Sequence, residues 1–206
     1  MTSTSQKILT RGLWALLLCG IVAVVAVKWV VPLVGPMLAA APNPPDVMFP
    51  AATFEFTDQQ GKPFSSAQLK GKPYVASFMF TKCNGVCPQM NLAIADLNQK
   101  LPAEFHFVSF TVDPENDTVD ALKTYAANRG ADPARWHFLT GDLEKLKAAA
   151  LGMKVGNQDW PGSHSDRLIL VDGDNNIRGT YHSKDADDVK RLVAEAKALV
   201  GKTGGP

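Results

Sequence analysis

From Thr53 to Val200, short apolar runs take turns with stretches whose apolar residues recur at helical spacing. Thr53-Phe54-Glu55-Phe56-Thr57 alternates and predicts a strand, closed by the turn Asp58-Gln59-Gln60-Gly61. Tyr74 to Phe80 is almost uninterrupted apolar sequence, as expected of a buried central strand. Met90, Ala93, Ile94, Leu97 and Leu101 then follow helical spacing and present one apolar face. Phe105 to Val112 reads as another buried strand. Asp117 is placed to cap a helix carrying Val119, Leu122, Tyr125 and Ala126 on one face, with Gly130 as its stop.

Trp136 to Leu139 predicts a short strand, and Asp142 caps a helix running to about Leu151. Leu168–Val171 and Ile177–Tyr181 flank Asp172-Gly173-Asp174-Asn175-Asn176, a hairpin signal. Asp185 opens a last helix with Val189, Leu192, Val193 and Ala196 inward. Strand–helix alternation implies parallel pairing with right-handed crossovers, and the closing hairpin adds antiparallel strands. The predicted class is α/β, a mixed sheet flanked by helices of thioredoxin-like type. Ligand sites in such sheets lie at the carboxyl ends of strands.

One such end carries the most informative residues, Phe80-Thr81-Lys82-Cys83-Asn84-Gly85-Val86-Cys87-Pro88. A proline at the first helical position is pre-set for helix. Cys87 therefore belongs at a helix N-terminus, with Cys83 in the turn that feeds it. The positive end of the helix dipole favours thiolate. Two converging thiolates either close a disulfide or hold a soft metal.

The N-terminus has another character. Lys7 and Arg11 precede an uncharged run, Gly12 to Val27; Lys28 interrupts it, and Trp29 to Ala41 is apolar again apart from its prolines. A membrane-spanning helix needs about 20 residues. Extending the run to Val34 supplies them, with Lys28 snorkelling to the far interface. The flanking basic residues orient the N-terminus to the cytoplasm and export the rest. A signal peptide cleaved at Ala39-Ala40-Ala41 is the competing reading. Cys19 reads as a small apolar residue in lipid. The expected organisation is a cytoplasmic N-terminus over 1–11, a transmembrane anchor over 12–34, a stiff Pro-rich linker over 35–46, a globular domain over 47–200 and a disordered tail over 201–206. The net charge of +1, from 21 basic and 20 acidic residues, leaves no basic patch and argues against nucleic acid.

Of four histidines, His106 and His137 lie inside predicted strands and His182 just past one. Only His164 sits in a loop of turn formers, Trp160-Pro161-Gly162-Ser163-His164-Ser165-Asp166, and loops on rigid scaffolds concentrate function. Over roughly Phe54 to Val200 the chain resembles the SCO/SenC family of thioredoxin-like proteins. The resemblance rests on four segments in order: the cysteine segment, Phe110-Thr111-Val112-Asp113-Pro114-Glu115-Asn116-Asp117-Thr118, Trp136-His137-Phe138-Leu139-Thr140-Gly141, and His164-Ser165 followed by Leu168-Ile169-Leu170-Val171-Asp172. It implies a membrane-tethered copper protein that helps assemble the dinuclear copper centre of cytochrome c oxidase. The partner would be the oxidase's copper-bearing subunit or another copper protein. On a bacterial reading, the anchor lies in the inner membrane and the domain in the periplasm. Carried over by position, the ligands of Cu(I) or Cu(II) are Cys83, Cys87 and His164.

This chain has Asn84-Gly85 where many members have Pro-Asp, and Ser163 where many have an acidic residue. The chemistry is consistent with the resemblance, since thiolates suit Cu(I) and imidazole suits both copper oxidation states. A second class of function is a thiol–disulfide oxidoreductase with Cys83 and Cys87 as its redox pair. Three intervening residues, where thioredoxin-type catalysts usually have two, count against general disulfide exchange. A thiol peroxidase and a purely structural disulfide complete the alternatives.

Overall fold

A computed structural model describes residues 3–30, 43–155 and 166–201. The chain divides into two compact units, residues 1–41 and 42–206. In the first, α1 (Ser3–Val25) continues into a π-helical turn, Ala26–Val30. Trp14, Leu16, Leu17, Leu18, Ile21 and Val22 are exposed along it. Among the described residues no helix is long and apolar enough to cross a membrane. The expected anchor over 12–34 runs past them, since residues 31–42 lie outside the description.

The second unit is built on one eight-stranded sheet. Its strands are β1 (Phe49–Pro50), β2 (Glu55–Asp58), β3 (Pro63–Ser65), β4 (Tyr74–Met79), β5 (His106–Thr111), β6 (Trp136–Thr140), β7 (Arg167–Val171) and β8 (Asn176–His182). The spatial order is β1-β8-β7-β4-β5-β6-β2-β3. The centre, β4-β5-β6, is parallel, and the flanking pairs are antiparallel. The expected mixed thioredoxin-like sheet is therefore present. Four helices serve it: α2 (Cys87–Lys100), α3 (Val119–Ala127), α4 (Leu143–Gly152) and α5 (Ala186–Gly201). Two strands go beyond the sequence reading, β1 and β3. Neither carries a run of its own, and pairing makes them strands: Phe49 faces Ile177, and Phe64 faces Phe56.

Alternation along β4 and β5 gives the sheet two buried faces. On one, Val75, Met79 and Phe107 pack with Ile94 and Leu97 of α2 and Leu192 and Ala196 of α5. On the other, Ala76, Phe78, Val108 and Phe110 pack with Phe54, Phe56 and Leu146. Each fully buried large apolar side chain contributes roughly 1.5–3 kcal/mol. The sheet's centre is thus rigid where β4 releases the chain toward Cys83.

Asp142 caps α4 as expected, accepting from the Lys145 N–H at 2.9 Å. Asp117 does not cap α3, and this corrects the sequence reading. The N-cap is Thr118, whose hydroxyl accepts from the Ala121 N–H at 3.3 Å. The Asp117 carboxylate is engaged elsewhere.

Candidate metal centre

β4 ends at Met79, and the loop from Phe80 to Val86 delivers Cys83 and then Cys87, the first residue of α2. Pro88 occupies the first helical turn as the sequence predicts. The Cys83 N–H donates to the Phe80 carbonyl at 3.3 Å, and the Met90 N–H donates to the Val86 carbonyl at 3.0 Å. Gly85 lies over the first sulfur: a Cβ there would meet Cys83 Sγ at 4.0 Å. Both residues are buried, Cys83 at 7% and Cys87 at 0% exposure, and both are in the thiol form.

The two thiols hydrogen-bond to each other and are electrostatically unequal. Burial pushes the Cys83 thiol up, but hydrogen bonds from the Cys87 thiol and from the backbone N–H groups of Cys87, Gly85 and Val86 bring it below its ordinary value. Two of those N–H groups, at the N-cap Val86 and at Cys87, belong to the α2 N-terminus, where a helix has no internal acceptor for them. Burial, together with the hydrogen bond to Cys83, raises Cys87 to about 12. The arrangement favours thiolate at Cys83 over Cys87.

α2 also buries a polar group that the helical spacing did not include among its apolar positions. Asn91, one turn after Cys87, donates from Nδ2 to the Tyr125 hydroxyl at 2.6 Å. The Arg129 guanidinium sits 3.3 Å from the Tyr125 ring centroid. Burial pushes the Tyr125 phenol up to about 12, with the charges of Cys87, Cys83 and Asp117 adding and Arg129 opposing. The available signal was Asn91 itself, a polar residue on the buried face of an amphipathic helix.

His164 lies outside the described residues, as does the rest of 156–165. The segment that follows it is described. β7 runs antiparallel to β4, with Ala76 facing Ile169. The chain therefore joins β7 at the edge of the sheet where β4 leaves toward Cys83. Asp166, two residues after His164, is held there by the His182 ring at 2.9 Å and through its carbonyl by the Ser183 N–H at 2.9 Å.

The remaining histidines sit elsewhere. His106 and His137 stack with ring centroids 5.9 Å apart, and Phe64 covers His137 at 4.0 Å. Burial, then the neighbouring His106, lowers His137 to about 4, with Asp58 opposing. Among the described residues no group of three His, Cys, Asp or Glu side chains forms a metal cluster.

The sequence profile described as SCO1/SenC matches residues 46–201. The chain belongs to the SCO1/SenC family. The SCO1 protein homolog of Bacillus subtilis is 33% identical over 154 residues, covering 70% of this chain and 80% of the homolog. The chain spans 65% of a putative copper-binding protein of Stutzerimonas stutzeri and 43% of the mitochondrial protein SCO2 of Saccharomyces cerevisiae. Among solved structures, BsSco, described as a cytochrome c oxidase assembly protein with a disulfide switch, aligns with a TM-score of 0.68 at 30% identity. That alignment covers 79% of this chain and 99% of BsSco. Bradyrhizobium japonicum ScoI with copper bound aligns with a TM-score of 0.56 at 27% identity, over 68% of this chain and 98% of ScoI. The SCO resemblance drawn from four short segments thus extends over residues 46–201, most of the second unit.

Proposed function

We propose that this SCO protein binds copper through Cys83, Cys87 and His164 and helps assemble the dinuclear copper centre of cytochrome c oxidase. The observation that carries the reading is the buried dithiol at the α2 N-terminus, with Cys83 held toward thiolate. Two sulfur donors in that setting match the softness of Cu(I). Family membership and the copper-bound ScoI structure support the same assignment. Bound copper supplies a metal that one protein can hand to another. The protein's own part is to present two sulfurs from the segment that joins β4 to α2 and an imidazole from the sequence ahead of β7. With Cu(I) the set of two thiolates and one neutral imidazole carries a charge of −1, and with Cu(II) zero, by adding ligand and metal charges. The acceptor is the oxidase's copper-bearing subunit or another copper protein. The segment 12–34 serves as a single-pass inner-membrane anchor and the domain faces the periplasm; the uncharged run behind Lys7 and Arg11 supports this.

The test is an anaerobic Cu(II) titration of the reduced full chain in detergent, followed by thiolate-to-copper charge-transfer absorption and EPR. One equivalent should bind with strong charge-transfer bands. His164→Ala should weaken binding by at least about tenfold while leaving thermal stability unchanged. Unchanged affinity in that variant would remove His164 from the site.

The inequality of the two thiols favours a second reading, a thiol–disulfide oxidoreductase acting on cysteines of the copper acceptor. A lowered attacking thiol beside a proton-holding resolving thiol suits exchange through a mixed disulfide. That reading requires the Cys83–Cys87 couple to have a lower potential than its target.

A further inference from the structure

Asp117 is fully buried and caps no helix. Its carboxylate sits between the outgoing ends of β4 and β5, where the Val112 N–H still donates to the Met79 carbonyl at 2.8 Å. Three donors converge on it. The Thr81 N–H lies 3.1 Å from Oδ2 and 3.2 Å from Oδ1, the Thr81 hydroxyl lies 2.5 Å from Oδ1, and the Thr111 hydroxyl lies 2.5 Å from Oδ2. The Asp117 N–H in turn donates to the Asp113 carbonyl at 2.9 Å, and the Asp113 N–H donates to the Thr111 hydroxyl at 3.0 Å. One residue earlier, Asn116 Oδ1 accepts from Lys82 Nζ at 2.5 Å. Thr81 and Lys82, the two residues before Cys83, are thus tied to Asn116 and Asp117, the two residues before the α3 cap.

A buried carboxylate is costly unless its hydrogen bonds are satisfied. Here two of its three donors belong to Thr81, in the loop that carries Cys83. We propose that Asp117 is a positioning residue for the Cys83–Cys87 pair: it holds Thr81 and thereby sets how the first sulfur meets the second. The reading above supplies the use made of that pair. Loosening the loop makes closing the disulfide harder. That shifts the couple toward the dithiol.

The experiment uses the full chain in detergent with Cys19→Ser, so that only the pair titrates, equilibrated in glutathione redox buffers. Oxidation forms the Cys83–Cys87 S–S bond; two electrons and two protons pass to glutathione disulfide, whose own S–S bond breaks to give two glutathiones. Asp117→Asn should lower the equilibrium constant for disulfide formation at least about tenfold, equivalent to about 30 mV for this two-electron couple. Thr81→Ala, which keeps the carboxylate and removes one tie to the loop, should shift it in the same direction and carries the test if Asp117→Asn does not fold. Thr111→Val removes a bond on the β5 side and should lower the melting temperature without moving the constant. Wild-type constants in both Asp117→Asn and Thr81→Ala, with only stability reduced, would overturn the proposal. A parallel Cu(II) titration separates the two ideas. A parent chain that binds no copper defeats the copper reading and leaves the disulfide comparison intact. A parent chain that binds copper while the variants keep its disulfide constant defeats only the role of Asp117.

Discussion

Cys83 and Cys87 are chemically alike and only four positions apart, but the fold gives them different jobs. The N–H groups of Gly85, Val86 and Cys87, at the entry to α2, hydrogen-bond to Cys83 and favour its thiolate. Cys87 is fully enclosed and held at about 12. At neutral pH, iodoacetamide should therefore modify Cys83 more than about tenfold faster than Cys87, because only thiolate attacks. Peptide mapping by mass spectrometry reads the ratio, and equal rates would contradict the hydrogen-bond arrangement. The spacing and Pro88 made the pair legible in advance. The inequality was not legible, because it depends on which backbone donors reach which sulfur. Asp117 shows the same limit. An Asp just ahead of an amphipathic stretch reads as a cap, yet Thr118 fits that role with its own hydroxyl, and the carboxylate next to it binds across to the cysteine loop.

Among the elements, α2 does most to place the site, and its far end is secured from the turn before β6. The Arg135 guanidinium donates to the carbonyls of Asn98 and Phe105 at 2.7 Å, Leu101 at 2.9 Å and Pro102 at 2.5 Å. These include carbonyls that the helix C-terminus cannot satisfy internally, and a cation there also complements the dipole. Arg135→Ala should destabilise the domain by about 2–4 kcal/mol, since charged hydrogen bonds contribute about 1.5–3 kcal/mol each and are not additive. Denaturant unfolding measures it, and a loss below about 0.5 kcal/mol would show those carbonyls to be hydrated instead. The central strands and the helices were legible from their periodicity. β3 was not: it has three residues and opens on Pro63, which weakens any strand signal. It is a strand because Glu55 and Phe56 of β2 pair with Ser65 and Phe64.

For the domain as a whole, the sheet face away from α2 stores a sensitivity to acid. Burial lowers His137 from an ordinary value of 6.5 to about 4, and lowers His106 in the same direction. Between those two values the unfolded chain binds more protons than the folded one, so stability falls as pH drops. It should be fully present above about pH 6.5 and decline toward pH 4, with part of that slope absent in His137→Phe. Thermal melts across that range test this, and an unchanged slope in the variant would assign the acid sensitivity to other groups. Local chemistry written along the chain settled a good deal: a mixed α/β sheet, the cysteine pair at a strand–helix junction, and the apolar N-terminal run. Periodicity and proline geometry act over neighbouring residues and need no partner. The unequal thiols, the Asn91–Tyr125–Arg129 stack and the clamp of Asp117 on Thr81 came only with the folded chain. The thiols differ through donors only two to four residues away, which reach the sulfur only when the loop adopts its folded course; Asn91–Tyr125 and Thr81–Asp117 join residues more than thirty positions apart, which only the folded chain brings together.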